Sequence, residues 1–168
     1  MDADDPDVPL FANLDDADPD VIAAVSEAKR TLPQFLDAAS SVRFSPATYL
    51  VKVPFIDRSE AGEPAVVHTP GTATEYPGRP ICHLWLSVTS VLDDLVFCSV
   101  GEAPDALHLK AGTSFVIATE SIEDWMIHHG GDTFGGFSLR VVRGRLHGRE
   151  QMEFDTHTRI RSFKELVP

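Results

Sequence analysis

Long apolar runs are absent from this sequence of 168 residues, and nothing in it approaches the ~18 uninterrupted apolar residues that a membrane-spanning helix requires. A secretory leader is missing as well. The chain opens with Met-Asp-Ala-Asp-Asp-Pro-Asp, whereas a leader opens with positive charge followed by an apolar stretch. The sequence therefore predicts a soluble protein of the cytoplasm.

Cysteine is also scarce, with only Cys82 and Cys98 in the chain. Two cysteines do not make the disulfide framework of a small secreted domain, and a chain of this length can build a core without one. A reactive thiol needs a cationic and partly exposed setting, which the sequence does not show. We expect two buried free thiols.

Positive charge is in the minority. The chain carries 14 Lys and Arg residues against 26 Asp and Glu residues, a formal net charge of −12 at pH 7. Residues 1–20 hold eight aspartates and no Lys or Arg. Such a chain repels phosphate backbones, so nucleic acid is not expected as a partner. The same charge would attract a basic protein.

Composition is otherwise that of a globular domain. Apolar residues make up 43% and charged residues 24% of the chain, close to the usual values of roughly 45–50% and 25%. We predict three parts: an acidic flexible arm over residues 1–17, a single α+β domain over residues 18–146, and a C-terminal extension over residues 147–168 that is packed on the domain or trails from it. Leu10, Phe11 and Leu14 are the apolar residues that could dock the arm.

One long helix is predicted after the arm. Asp18 is a favourable N-cap followed by Pro19 at the first helical position. Apolar residues then recur at helical spacing, and the following five are expected to be buried: Val21, Ile22, Val25, Leu32 and Phe35. Pro33 removes a backbone donor, so we expect a kink or break near residues 30–33 and the end of the helix by about residue 39.

Short strands are predicted for most of the remainder. Alternation or β-forming residues indicate strands at residues 49–55, 65–68, 81–92, 95–100, 114–119 and 137–146. Ser121 to Met126 reads as a helical turn, and residues 57–80 otherwise read as a long loop. The gaps between strands are too short for parallel crossovers. The predicted fold is α+β, with an N-terminal helix packed on a curved, mostly antiparallel, half-barrel-like sheet.

Signatures of catalysis are missing. The sequence contains no Gly-x-Ser-x-Gly elbow and no phosphate-binding loop. Its seven histidines do not show the short-range clustering of zinc ligands. Asp124 and His128 would share one face if residues 122–128 were helical. We expect no metal and no cofactor; the alternative is a small hydrolase or metal-dependent enzyme that uses Asp124, His128 and His83.

Two tryptophans are the most informative aromatic residues. Trp85 and Trp125 lie in apolar contexts and are expected to be largely buried, because aromatic side chains dominate core packing. The alternative is a binding groove beside Trp125. Its candidate residues are Trp125, Asp124, His128, His83 and Trp85.

Several short motifs occur in an order that resembles a known family. They are Ile122-x-Asp124-Trp125-Met126, Gly135-Gly136-Phe137-Ser138, His83-x-Trp85, Lys110-x-Gly112 and Tyr49-Leu50-Val51-Lys52. Over about residues 20–145 the chain resembles the YegJ-like bacterial family called domain of unknown function 2314. Cys82 stands where that family usually has Glu. The resemblance implies a small soluble bacterial domain and implies no activity.

The sequence thus favours a non-catalytic binding or regulatory module over an enzyme. The acidic arm and the long 57–80 loop point to another protein as the partner, and the charge favours a basic one. A membrane partner is not expected.

Overall fold

The computed structural model describes residues 14–42 and 45–166. Leu10 and Phe11, two of the residues named as able to dock the arm, lie outside the described residues. Helix α1 spans Pro19–Ala39. As predicted, Asp18 caps it: the Asp18 carboxylate accepts a 2.9 Å hydrogen bond from the backbone N–H of Asp20.

Of the kink or break expected near residues 30–33, the break does not occur: α1 is one continuous helix through Pro33. Pro33 lies on the exposed side of the helix. Lys29, whose carbonyl has no N–H donor at Pro33, is an exposed residue as well. The apolar stripe on the other side continues past the proline and holds both halves against the sheet.

That stripe differs from the predicted one at two positions. Val21, Leu32 and Phe35 are buried, but Ile22 is 56% exposed and Val25 is half-buried. The buried stripe instead includes Ala24 and Ala28. Ile22 therefore lies on the solvent side of α1, beside this stripe and not within it.

Eight strands of the described residues form one open sheet beside α1. They are β1 (Thr48–Ile56), β2 (Val66–Val67), β3 (Ile81–Leu92), β4 (Leu95–Val100), β5 (Ser114–Ala118), β6 (Asp124–His129), β7 (Asp132–Gly135) and β8 (Ser162–Lys164). The order is β5-β4-β3-β1-β6-β7-β8, and β2 pairs with β1. Every pairing is antiparallel except that of β7 with β8. The predicted α+β fold, with its N-terminal helix and mostly antiparallel sheet, is confirmed.

The core lies between α1 and one face of the sheet. Trp125 is fully buried there, as predicted, and stacks on Phe35 with ring centroids 5.3 Å apart. Its indole N–H donates to the carbonyl oxygen of Ala28 at 3.1 Å and lies 3.2 Å from the hydroxyl oxygen of Thr31. One side chain thus joins β6 to the middle of α1 and satisfies its own polar atom.

The second half of the chain departs most from the sequence prediction. The helical turn expected at residues 121–126 is wrong, because a short 3-10 turn ends at Ser121 and residues 124–129 form β6. The strand expected at residues 137–146 is also wrong. That segment is helix α3 (Phe137–Arg145), and helix α4 (Gly148–Thr158) follows it. The last segment then returns to the sheet as β8.

The 57–80 segment contains more structure than a loop. It holds a 3-10 turn at residues 59–61, the predicted short strand as β2, and helix α2 (Pro70–Glu75). Thr69 and Thr72 form a reciprocal capping box at the start of α2. In the described part of the chain, no helix is both long enough and apolar enough to cross a membrane.

Candidate functional site

A groove of about 980 Å³ lies on the face of the sheet opposite α1. Strands β1, β3 and β6 supply Leu50, Lys52, His83, Trp85, Met126 and His128 to its lining. The strand register explains why these side chains meet: Lys52 is opposite Trp85 on one side and Asp124 on the other, so alternate residues of the three strands share this face.

Helices α3 and α4 and the start of the described chain complete the groove. Leu139 and Val142 come from α3, and Ile160 follows α4. Leu14 also contributes to the lining, with Asp15 and Asp16 beside it. The lining is therefore mixed: eight large apolar side chains stand among a similar number of polar ones, which include Lys52 and three histidines. Two carboxylates, Asp15 and Asp16, stand where the aspartate-rich segment meets the domain.

His83 is held by two carboxylates. Its Nε2 atom is 3.0 Å from Glu123 Oε2 and 3.7 Å from Asp16 Oδ1. Burial raises the pKa of Glu123, but the hydrogen bond and charge of His83, helped by Lys52 and Lys29, outweigh it and leave the pKa below its ordinary value. The arrangement ties the first described residues to β3 and to the start of β6.

Lys52 lies at the centre of the groove's sheet face. Within residues 14–42 and 45–166 it forms no ion pair, although its charge helps to lower the pKa of Glu123. It is half-buried, so its stem packs along the apolar lining. The sequence predicted no site role for Lys52 or for Glu123. Alternation along β1 was the available signal for Lys52, whereas nothing local marked Glu123.

Asp124, a predicted site residue, is buried beneath α3 and not open to the groove. Its two carboxylate oxygens accept hydrogen bonds from the backbone N–H groups of Trp125 (2.8 Å), Phe137 (3.2 Å) and Ser138 (2.8 Å), and from the Ser138 hydroxyl (2.7 Å). Burial raises the pKa of Asp124, and these four donors oppose that rise. Asp124 thus acts as a distant N-cap for α3, whose own cap residue, Gly136, has no side chain.

The other predicted site residues divide between the two faces of the sheet. His83, Trp85 and His128 line the groove, whereas Trp125 faces α1 in the core. Trp85 is half-buried, less than was expected. His128 Nδ1 is 3.0 Å from the Thr133 hydroxyl, so His128, His83 and Asp124 each have a separate partner. In the described part of the chain, no three His, Cys, Asp or Glu side chains are placed to hold a metal.

Both thiols are free. Cys98 is buried as expected, while Cys82 is half-buried and borders the groove. Burial raises the pKa of Cys82 to about 11 and that of Cys98 to about 12. Thiols so far from ionisation at neutral pH are weak nucleophiles, which agrees with the prediction that neither is reactive.

Comparison with known proteins gives one named relative and a family. A putative ankyrin repeat protein of Neisseria meningitidis serogroup B is 27% identical over 114 residues, which cover 63% of this chain and 36% of the relative. The chain therefore spans about a third of that relative's length. No solved structure matches it. The sequence model of a family described as an uncharacterized protein conserved in bacteria (DUF2314) matches residues 18–160, and the chain belongs to that family.

Proposed function

We propose that this bacterial domain is a non-catalytic, cytoplasmic binding or regulatory module whose groove takes a segment of a partner protein that has apolar side chains next to Lys or Arg. The observation that carries the proposal is the groove itself: its lining combines apolar side chains, among them Trp85, Leu50 and Met126, with polar ones, and Asp15 and Asp16 border it. Concave surfaces that combine apolar and aromatic side chains with placed polar groups are typical of binding sites.

Charge selects the kind of partner. Asp15 and Asp16 continue an N-terminal segment whose first 20 residues hold eight aspartates and no base. Lys52 is the positive charge in the groove, and it lies close enough to Glu123 to lower the pKa of that carboxyl. Acidic groups therefore dominate the end of the groove near His83, which favours a basic flank on the bound segment.

The Neisseria relative supports the same class of function. That relative is named as a putative ankyrin repeat protein, and stacked repeats of this kind present extended binding surfaces. The enzyme alternative has less support, since His83, Asp124 and His128 do not meet at one point and each has its own hydrogen-bond or ion-pair partner.

A peptide-display library tests the proposal on the full chain. We expect recovered peptides to combine aromatic or aliphatic residues with Lys or Arg. Trp85→Ala should lower the affinity of the protein for a synthesised consensus peptide by about ten-fold or more, as removal of a central aromatic contact usually does. The matched control is Met152→Ala, because Met152 is 71% exposed on α4 and does not line the groove.

The N-terminal segment gives a second measurement. Deleting residues 1–15 should slow association of the peptide at low ionic strength more than at high ionic strength, because salt screens exposed charges beyond ~8 Å at physiological strength. Recovery of acidic peptides, of peptides that bind Trp85→Ala as tightly as wild type, or of no peptide at all would overturn the proposed function.

A further inference from the structure

The two edges of the sheet are protected to very different degrees. Edge strand β8 has only three residues and ends in Lys164. Arg140 reaches across to this edge, donating to the carbonyl oxygens of Gly135 and Lys164, each at 3.0 Å, and pairing with Glu165. Short length and charged side chains are the usual means by which proteins prevent pairing between sheet edges.

Edge strand β5 has none of these protections. Its five residues, Ser114–Ala118, contain no charge and no proline, and the residues on both sides, Gly112, Thr113 and Thr119, are uncharged as well. Its pairing with β4 is continuous and free of a bulge. In an antiparallel pair every second residue directs its N–H and C=O away from the neighbour. Among the described residues, nothing pairs with these outward groups of β5.

Apolar side chains stand next to this open edge. Val116 is 56% exposed at the middle of β5, and Leu95 on β4 is 39% exposed. Leu92, at the end of β3, is opposite Leu95 and 59% exposed. All three side chains thus remain open to solvent over more than a third of their surface, and the exposed Val116 is β-branched, as strand pairing favours.

We propose that β5 of one molecule pairs antiparallel with β5 of a second copy, about a two-fold axis near Val116, so that the two eight-stranded sheets become one. A two-fold interface places identical residues against each other, which penalises charged strands and suits an uncharged one. Asp15 and Asp16 do not oppose this pairing, since Asp16 contacts His83 at the far end of β3 from Leu92.

The proposed interface is small, so the dimer is expected to be weak and has to be measured at high protein concentration. Two paired strands of five residues bury less than the roughly 800 Å² per partner of a standard interface. The dimer should therefore form reversibly as concentration rises. Sedimentation velocity on the full chain, from micromolar to millimolar concentration, measures the equilibrium directly.

Val116→Lys is the decisive variant and Met152→Lys its matched control, because both place the same charge at an exposed apolar position. We expect a wild-type dimer whose dissociation constant rises at least about ten-fold in Val116→Lys, equivalent to ~1.4 kcal/mol, and does not change in Met152→Lys. Melting temperatures would confirm that both variants fold. Amide exchange at residues 114–118 should slow as wild-type concentration rises.

The pairing is independent of the groove, so Trp85→Ala should dimerise like wild type. A wild-type chain that stays monomeric at millimolar concentration would overturn the inference. An equal effect of Val116→Lys and Met152→Lys would also overturn it, as would assembly beyond a dimer.

Discussion

Gly135 lies directly against Trp125. A Cβ atom on Gly135 would overlap the carbonyl oxygen of Trp125 and lie 2.5 Å from carbon Cε3 of its ring, and the backbone φ of Gly135 is +73°. The close contact leaves no room for a side chain, and the positive φ would add backbone strain to any other residue. The contact fixes the end of β7 against β6, immediately before α3 begins.

Gly135→Ala should therefore destabilise the protein by about 3 kcal/mol or more, combining the cost of overpacking with that of a left-handed backbone. Urea denaturation measures the loss. Gly130→Ala is the control in the same hairpin: its φ is +60°, but a Cβ there would meet nothing within 4 Å. A loss of only about 1–2 kcal/mol is expected there. Equal losses in the two variants would contradict the packing argument.

Asp124→Asn should weaken the start of α3. One carboxylate oxygen accepts from both the backbone N–H and the hydroxyl of Ser138, and an amide NH₂ at that place would face the backbone donor. We expect a loss of about 1–3 kcal/mol in the free energy of unfolding, the usual cost of an unsatisfied buried group.

Faster amide exchange across residues 137–142 would locate that effect in α3. Asp155→Asn removes a carboxylate from the more exposed ion pair with Arg143 and serves as the control, with an expected change of about 0–1 kcal/mol. If the two variants were equally stable, Asp124 would not be acting as the cap of α3.

Glu123→Gln should have a pH-dependent effect. The pKa of Glu123 is lowered in the folded protein, so its ionised form contributes stability above the ordinary glutamate range, and this contribution is lost as the pH falls through the folded pKa. The difference in unfolding free energy between wild type and Glu123→Gln should be largest near neutral pH and should shrink on acidification.

Urea titrations over a pH series test this expectation. Glu153→Gln is a suitable control because the pair of Glu153 with Arg149 is exposed on α4. Its effect should be small throughout. A Glu123→Gln difference that stays constant from neutral to acidic pH would show that the contact with His83 does not stabilise the fold.

Sequence patterns predicted the elements correctly where neighbouring residues determine the local structure. Asp18 and Pro19 mark the start of α1, and the hairpin of β3 and β4 follows from two β-forming runs around Asp93-Asp94. They failed at α3, whose first N–H groups bond to Asp124, a residue 14 positions from Ser138. Short apolar segments fit either helix or strand, and in this case a distant carboxylate decides between them.

The candidate site was predictable in part. His83, Trp85 and His128 were candidates because of their residue types, and the structure places all three in the groove. Trp125 and Asp124 were candidates for the same reason, but they support the fold. Asp124 on β6 accepts hydrogen bonds from Phe137 and Ser138 at the start of α3, and so connects the two elements. A single sequence does not distinguish a side chain that binds from one that supports, since both are polar or aromatic residues between strands.

The position of β1 also affects how the protein is made. As it leaves the ribosome, β1 lacks its two long sheet neighbours. Strand β3 begins at Ile81, and β6, which carries the tryptophan that anchors α1, begins at Asp124. Translation proceeds at roughly 5–20 residues per second, so the interval from Ile56 to Asp124 lasts about 3–14 s. Throughout that interval the apolar stripe of α1 and one edge of β1 remain open, and the nascent chain is a natural client for chaperones that hold unfinished domains.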